Sequence, residues 1–139
     1  SGSLRTQQTG NLARSILFAM MRARSEAVAD GFQRRLSCTS TACTLEVGST
    51  QGMSAPPLWR TSDYSVKSGT QAMIWAVDSA TDVGTTAPAG PLAVTRTITF
   101  FPDGTATAGT VFVQDARTQQ RYKVFVYSAT GMARVVDSW

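Results

Sequence analysis

The 139-residue sequence predicts an α+β fold, with one N-terminal amphipathic helix packed on antiparallel β-sheet. Three observations point to it. Apolar residues recur at helical spacing up to residue 30. After Gly31 the pattern changes to an alternation of period two and keeps it. Clusters of Gly, Pro, Asp, Ser and Thr then punctuate the later runs as turns and loops. A helix laid over the buried face of such strands is an α+β arrangement, with one sheet or two packed together.

The first ten residues are polar; Ser1-Gly2-Ser3 reads as a cloning remnant and the remainder as the lead-in of a truncated helix that continues upstream in the natural protein. The helix itself is predicted over 11–30, with Asn11 as its N-cap and Gly31 at the C-terminal capping position. Leu12, Ile16, Met20, Ala23 and Ala27 form one apolar stripe, and Leu17, Met21 and Val28 form a second beside it. Together they cover about half the circumference, more than the roughly 100° a helix needs against one core. The second stripe is therefore expected to meet something other than the chain's own core. Arg14, Arg22, Ser25 and Glu26 occupy the remaining side, with Arg22 and Glu26 at ion-pair spacing. Phe18 lies on this polar side, either as a further contact or as an incidental exposed aromatic.

Strands are predicted over 34–38, 43–47, 58–61, 71–77, 93–101, 105–114, 121–127 and 133–136, and no second helix is evident. Within the fifth, Val94, Ile98 and Phe100 alternate with threonines, as a half-buried strand should. Phe101-Pro102-Asp103-Gly104 and Ser128-Ala129-Thr130-Gly131 carry turn chemistry. The stretches 48–57 and 78–91 read as loops, the second long for a domain of this size. Residues 11–139 are read as one head domain, with the helix over 11–30 and a β-rich part over 33–137.

Composition removes most catalytic chemistry. Histidine is absent, so no Ser-His or Cys-His dyad and no imidazole metal ligand can form. Only nine carboxylates are present, and the close pair Asp78 and Asp82 lacks Ca²⁺-loop spacing. No catalytic residue, metal or cofactor is expected, nor a small-molecule substrate. The longest apolar run, 16–21, is far shorter than the ~20 residues a bilayer crossing requires. Cys38 and Cys43 enclose four residues, which is neither redox nor zinc spacing; a disulfide across a tight hairpin fits better than two reduced buried thiols, and implies an oxidising compartment. The net charge of +4 permits contact with nucleic acid or anionic lipid without demanding it. Its local groups include Arg117, Arg121 and Lys123, with Arg134 further on.

Several of these residues carry a family likeness. Ala23-Arg24-Ser25-Glu26-Ala27 near the helix end resembles the ARSEA signature of minor pilins and pseudopilins of the GspH/FimT type. Cys38 on the first strand, the Phe101-Pro102-Asp103-Gly104 turn, and the hairpin from Val124-Phe125-Val126 through Gly131 to Val135 follow in that family's order. The resemblance runs from about Leu12 to Val136. It implies a pilin-like head whose natural N-terminus is a single membrane-spanning helix in the bacterial inner membrane, with the head in the periplasm. It also implies a non-enzymatic subunit at the assembly or tip of a type IV pilus or type II secretion pseudopilus, with other such subunits as partners. Leu17, Met21, Val28 and Phe18 are then the expected packing residues, and the family's processing site and Phe-Thr-Leu-Ile-Glu start are not present. DNA-binding members carry G-R-x-R on the last hairpin; here the residues are Gly131-Met132-Ala133-Arg134. A DNA-uptake receptor is thus the alternative implied, with weak binding through Arg134 helped by Arg117, Arg121 and Lys123.

Overall fold

The computed structural model describes residues 2–69, 71–79, 90–137 and 139, with side chains from Gln8 onward. A single α-helix, α1 (Gly2–Asp30), is followed by β1 (Phe32–Cys38), β2 (Ala42–Gln51), β3 (Trp59–Lys67), β4 (Ala72–Asp78), β5 (Arg96–Phe100), β6 (Gly109–Asp115), β7 (Arg121–Val126) and β8 (Ala133–Val136). Among the described residues the strands form two four-stranded antiparallel sheets, ordered β3-β2-β1-β5 and β4-β6-β7-β8. The α+β expectation of a helix on antiparallel sheet holds.

The predicted first stripe does the sealing. Leu12, Ile16, Met20, Ala23 and Ala27 are all buried, with Ala13 and Ala19 beside them. They share one core with Leu36, Leu45, Ile98 and Phe100 of the first sheet and with Val111, Val113, Val124 and Val126 of the second. Non-polar surface leaves water on both sheets at once, which is the dominant favourable contribution to the fold.

Helix α1 begins at Gly2, so the expected start at 11 is corrected. The polar lead-in contains no proline to interrupt it, and Thr9 and Gly10 are buried, Gly10 beneath the Tyr122 hydroxyl. Packing against the sheet, which a polar sequence does not advertise, favours helix there. Asn11 is consequently an interior residue rather than an N-cap: its Oδ1 accepts a hydrogen bond from Arg14 Nη2 at 2.7 Å. The other end follows expectation. Gly31 adopts φ 80° and donates its N–H to Ala27 O at 2.9 Å, closing the last turn in a conformation that costs glycine little.

Strand bounds shift where pairing overrides composition. The expected short strand at 58–61 is the nine-residue β3, because pairing with β2 continues past Thr61, through an irregularity, to Ser65, Val66 and Lys67. The expected loop from 48 onward starts later, since β2 continues to Gln51. Val94 lies outside β5 and is exposed, whereas Ile98 and Phe100 are fully buried. The strand expected at 105–114 begins only at Gly109; ahead of it, Ala106 forms an isolated bridge with Phe100. Most of the loop predicted over 78–91, Asp82 included, lies outside the described residues.

Cys38 and Cys43 face one another across the β1–β2 hairpin and are joined by a disulfide. Both are fully buried. Replacing them together by Ala is expected to lower the unfolding free energy by about 2 kcal/mol, the chain-entropy contribution of so small a loop. Urea unfolding under non-reducing conditions measures the change as a lower midpoint; an unchanged midpoint contradicts it.

Candidate functional site

The residues of the ARSEA stretch divide between anchoring the helix and facing solvent. Arg24 Nε donates to Gly104 O at 3.2 Å and to Thr130 O at 2.9 Å, so one guanidinium clasps the β5–β6 turn and the β7–β8 turn to α1. Each turn is shaped to present that carbonyl. Gly104 donates its N–H to Phe101 O at 3.0 Å, and Asp103 accepts from the Thr105 hydroxyl at 2.6 Å and the Thr105 N–H at 2.9 Å. These bonds hold the Asp103 carboxyl below its ordinary pKa. Gly131 has φ 68°, and a Cβ there would collide with the Gly104 carbonyl oxygen, so the two turns touch only because position 131 carries no side chain.

Glu26 holds the helix end to the first sheet. It accepts from Arg22 at 2.8 Å and from Arg34 on β1 at 3.3 Å. Arg34 is buried and also reaches Asp30, with Nη2–Oδ2 at 2.7 Å and Nη1–Oδ1 at 3.0 Å. Burial alone would lower the pKa of the Arg34 guanidinium, but Asp30 and Glu26 outweigh it and hold it above its ordinary value. The hydrogen bond from Arg34 in turn holds the Asp30 carboxyl below the usual carboxylate value. On periodicity alone Glu26 is an ordinary polar-face residue; its second partner, on a strand, is visible only in the fold.

The opposite side of α1 is open. Phe18, Met21 and Val28 are 58%, 52% and 49% exposed, large values for apolar side chains on a helix that also seals a core. Leu17, expected to belong with them, is half-buried against the chain's own core, because it lies nearer the buried stripe than Met21 does. Beside the open face, Met21, Arg24, Ser25 and Val28 on α1 and Gly131, Met132 and Ala133 on the β7–β8 hairpin line a groove of about 280 Å³. Met132 is 55% exposed. Sequence periodicity within the helix cannot find Met132, which arrives from the far end of the chain.

The expected cationic group does not converge. Lys123 is buried. Arg121 sits 4.4 Å over the Trp139 ring and donates to Gln114 Oε1 at 3.1 Å. Arg117 lies in the β6–β7 turn, at the end of the sheet remote from Arg134, which pairs with Phe125 near the other turn. Only Arg117, Arg121 and Arg134 are exposed, strung along a hairpin rather than gathered on one spot. Trp139 is the feature missed in the sequence: its ring packs edge-on against Phe112 at 5.4 Å, and its Nε1 donates to Val113 O and Tyr122 O, at 3.3 and 3.0 Å. Among the described residues no group of three His, Cys, Asp or Glu is placed to hold a metal ion, and no helix is long and apolar enough to cross a membrane.

The sequence matches the family model of the type II transport protein GspH over residues 12–131. The chain belongs to that family. Arg24, Gly104 and Gly131 lie within the matched range, whereas Arg134 lies outside it. No curated protein matches the sequence significantly. Among solved structures, two of the minor pseudopilin EpsH from the type II secretion system of Vibrio cholerae resemble the chain in fold. One is 11% identical, covering 94% of this chain and 97% of that one, and the other 12% identical, covering 96% of each; both have a TM-score of 0.65. The solution structure of Escherichia coli GspH is 13% identical, covers 86% of this chain and 82% of that one, and has a TM-score of 0.57. At these identities the likeness establishes a shared fold.

Two outcomes test the anchors. Arg24→Ala is expected to cost about 1.5–3 kcal/mol of stability, the range for hydrogen bonds from a charged donor; Ser25→Ala, on the exposed side, should stay within about 0.5 kcal/mol. Denaturant midpoints distinguish them. Asp30 has a lowered folded pKa, so its contribution is present above the unfolded value of about 3.9 and is lost as pH falls through the folded value. Asp30→Asn should therefore be less stable than the parent at pH 7 by up to about 1 kcal/mol, a half-exposed pair being screened by solvent. The gap should close as the pH is taken below the lowered value, and a gap of constant size from neutral to strongly acid pH contradicts the assignment.

Proposed function

We propose that this chain is the helix-and-head portion of a minor pseudopilin, a non-enzymatic subunit that joins a type II secretion pseudopilus. One observation carries the reading: a single helix seals the core with one face and leaves Phe18, Met21 and Val28 in water on another. Monomeric proteins seldom leave a row of large apolar side chains uncovered, and such rows mark interaction surfaces. Membership of the GspH family supports a filament of related subunits as what covers it. The same reading has the helix continue upstream into a segment anchored in the inner membrane, with the head in the periplasm, where the Cys38–Cys43 disulfide is stable. Half-buried Leu17 contributes at the margin of the contact and Phe18 at its centre. The DNA-receptor alternative draws less support, since Lys123 is buried and Arg121 is held by Trp139.

Met21→Glu in the full-length protein is expected to leave the head folded, because Met21 is half-exposed, and to reduce secretion through the pseudopilus to background. Circular dichroism and export of a secreted substrate measure the two. Undiminished secretion, or unfolding of the head, defeats the proposal. A salt-sensitive mobility shift of duplex DNA that is lost in Arg134→Ala would favour the receptor instead.

A further inference from the structure

Resting on the pseudopilin reading, we infer that the end of the head nearest the start of α1 is an electrostatic docking surface for anionic phospholipid, that of the bilayer in which the upstream segment is anchored. Topology brings several separate segments to that end. Gln8, Asn11 and Ser15 of α1 line a cleft with Val66 and Lys67 of β3 and with Gln71. The β1–β2 turn meets the same corner, because the Ser68 N–H donates to Thr41 O at 2.8 Å and Ala42 pairs with Lys67. The β6–β7 turn arrives from the second sheet, where Ala72 pairs with Asp115 and the Ala116 N–H donates to Gln71 O at 2.7 Å. The start of β5 is there too, with Arg96 opposite Cys38.

Cations gather at this end without carboxylate partners. Arg14, Lys67, Arg96, Arg117 and Arg121 are exposed, and none makes an ion pair among the described residues. Arg121 rests on the Trp139 ring, a contact that leaves its charge in place. Of the described carboxylates, only Asp137, beside Arg14, is both exposed and at this end. Asp115 is fully buried and accepts from the N–H groups of Arg117 and Thr118, each at 2.8 Å. Toward the other end the pattern reverses, and Arg22, Arg34 and Arg35 are held by Glu26, Asp30 and Glu46.

The cations are too widely spaced for one small ligand. Lys67 and Arg96 lie on the two outer strands of the first sheet, three strand spacings or roughly 14 Å apart, and Arg117 and Arg121 belong to the second sheet. A charged plane suits that spread, since each side chain meets a different headgroup and the attractions add for cations held within about 10 Å of the surface at 0.1 M salt. Duplex DNA is the competing polyanion, and position favours lipid: on the pseudopilin reading α1 runs upstream from this very end into the membrane. The cleft offers one headgroup a recess. It measures about 390 Å³, within the usual range of about 300–1,000 Å³ for small ligands, and its lining holds Lys67 and no carboxylate. Asn11 gives its Oδ1 to Arg14, which leaves its amide N–H groups to donate to a phosphate oxygen.

Sedimentation of the 139-residue chain with vesicles tests this, with equimolar phosphatidylglycerol and phosphatidylcholine compared against phosphatidylcholine alone. At roughly 50 mM salt, binding to the mixed vesicles is expected to exceed binding to the neutral ones about tenfold or more, and to fall away at about 500 mM. Lys67→Gln/Arg96→Gln should lower it about tenfold. Arg60→Gln/Arg134→Gln, which removes the same charge from the other end, should stay within about twofold, with the thermal midpoints of both pairs unchanged. Lys67→Gln/Arg117→Gln serves where the first pair disturbs the fold. Equal binding to the two kinds of vesicle, binding insensitive to salt, or equal losses in the two pairs overturns the inference. So does binding to duplex DNA that is tighter than to the mixed vesicles and is lost in Lys67→Gln/Arg96→Gln, a result that assigns the face to nucleic acid. Secretion in Met21→Glu, which vesicle binding does not measure, decides the pseudopilin reading separately.

Discussion

One helix has to close two sheets. Each four-stranded sheet presents an apolar face that would otherwise meet water, and the described chain contains a single helix to cover both. The small residues Ala13, Ala19, Ala23 and Ala27 let the helix axis approach closely, while Ile16 and Met20 fill the space between the sheets. Everything else in the molecule is arranged around that burial, because non-polar surface removed from water dominates folding and the helix contributes it on both sides.

Burial of the apolar stripe sets which face of α1 points inward, and two polar clasps tie the helix to the strands and turns around it. Near the middle of the molecule Arg24 ties α1 to the turns at Gly104 and Thr130; at the helix end Glu26 and Asp30 tie it to Arg34 on β1. A buried guanidinium is tolerated only when its donors are satisfied, and these are. With the rotation held, the same face of α1 always points outward. The exposure of Phe18, Met21 and Val28 is thus a built property of the head, maintained by residues on other faces of the same helix.

Local patterns were legible where short-range chemistry decides the conformation. The buried stripe of α1, the Gly31 stop, the Phe101–Gly104 turn and the burial of Ile98 and Phe100, though not of Val94, in the fifth strand each depend on neighbours within a few residues. Patterns failed where a distant segment intervenes. Asn11 has the chemistry of a cap yet sits inside the helix, because burial of Thr9 and Gly10 keeps the lead-in helical. The polar residues of β3 form a full strand because β2 pairs with them, and backbone pairing is indifferent to side-chain polarity on an outer face. Lys123 looks like a surface cation and is buried, and Trp139 looks like a trailing residue and packs on β6.

The sequence by itself determined that α1 has more apolar surface than one core needs and that chemistry based on histidine is impossible, since spacing and composition are complete in one dimension. Only the tertiary structure decided which apolar residues stay in water, that Arg24, Gly104 and Gly131 meet, and that Met132 stands beside Met21 and Val28. The physical reason is that burial and steric contact are properties of pairs brought together from remote parts of the chain. No local period encodes them.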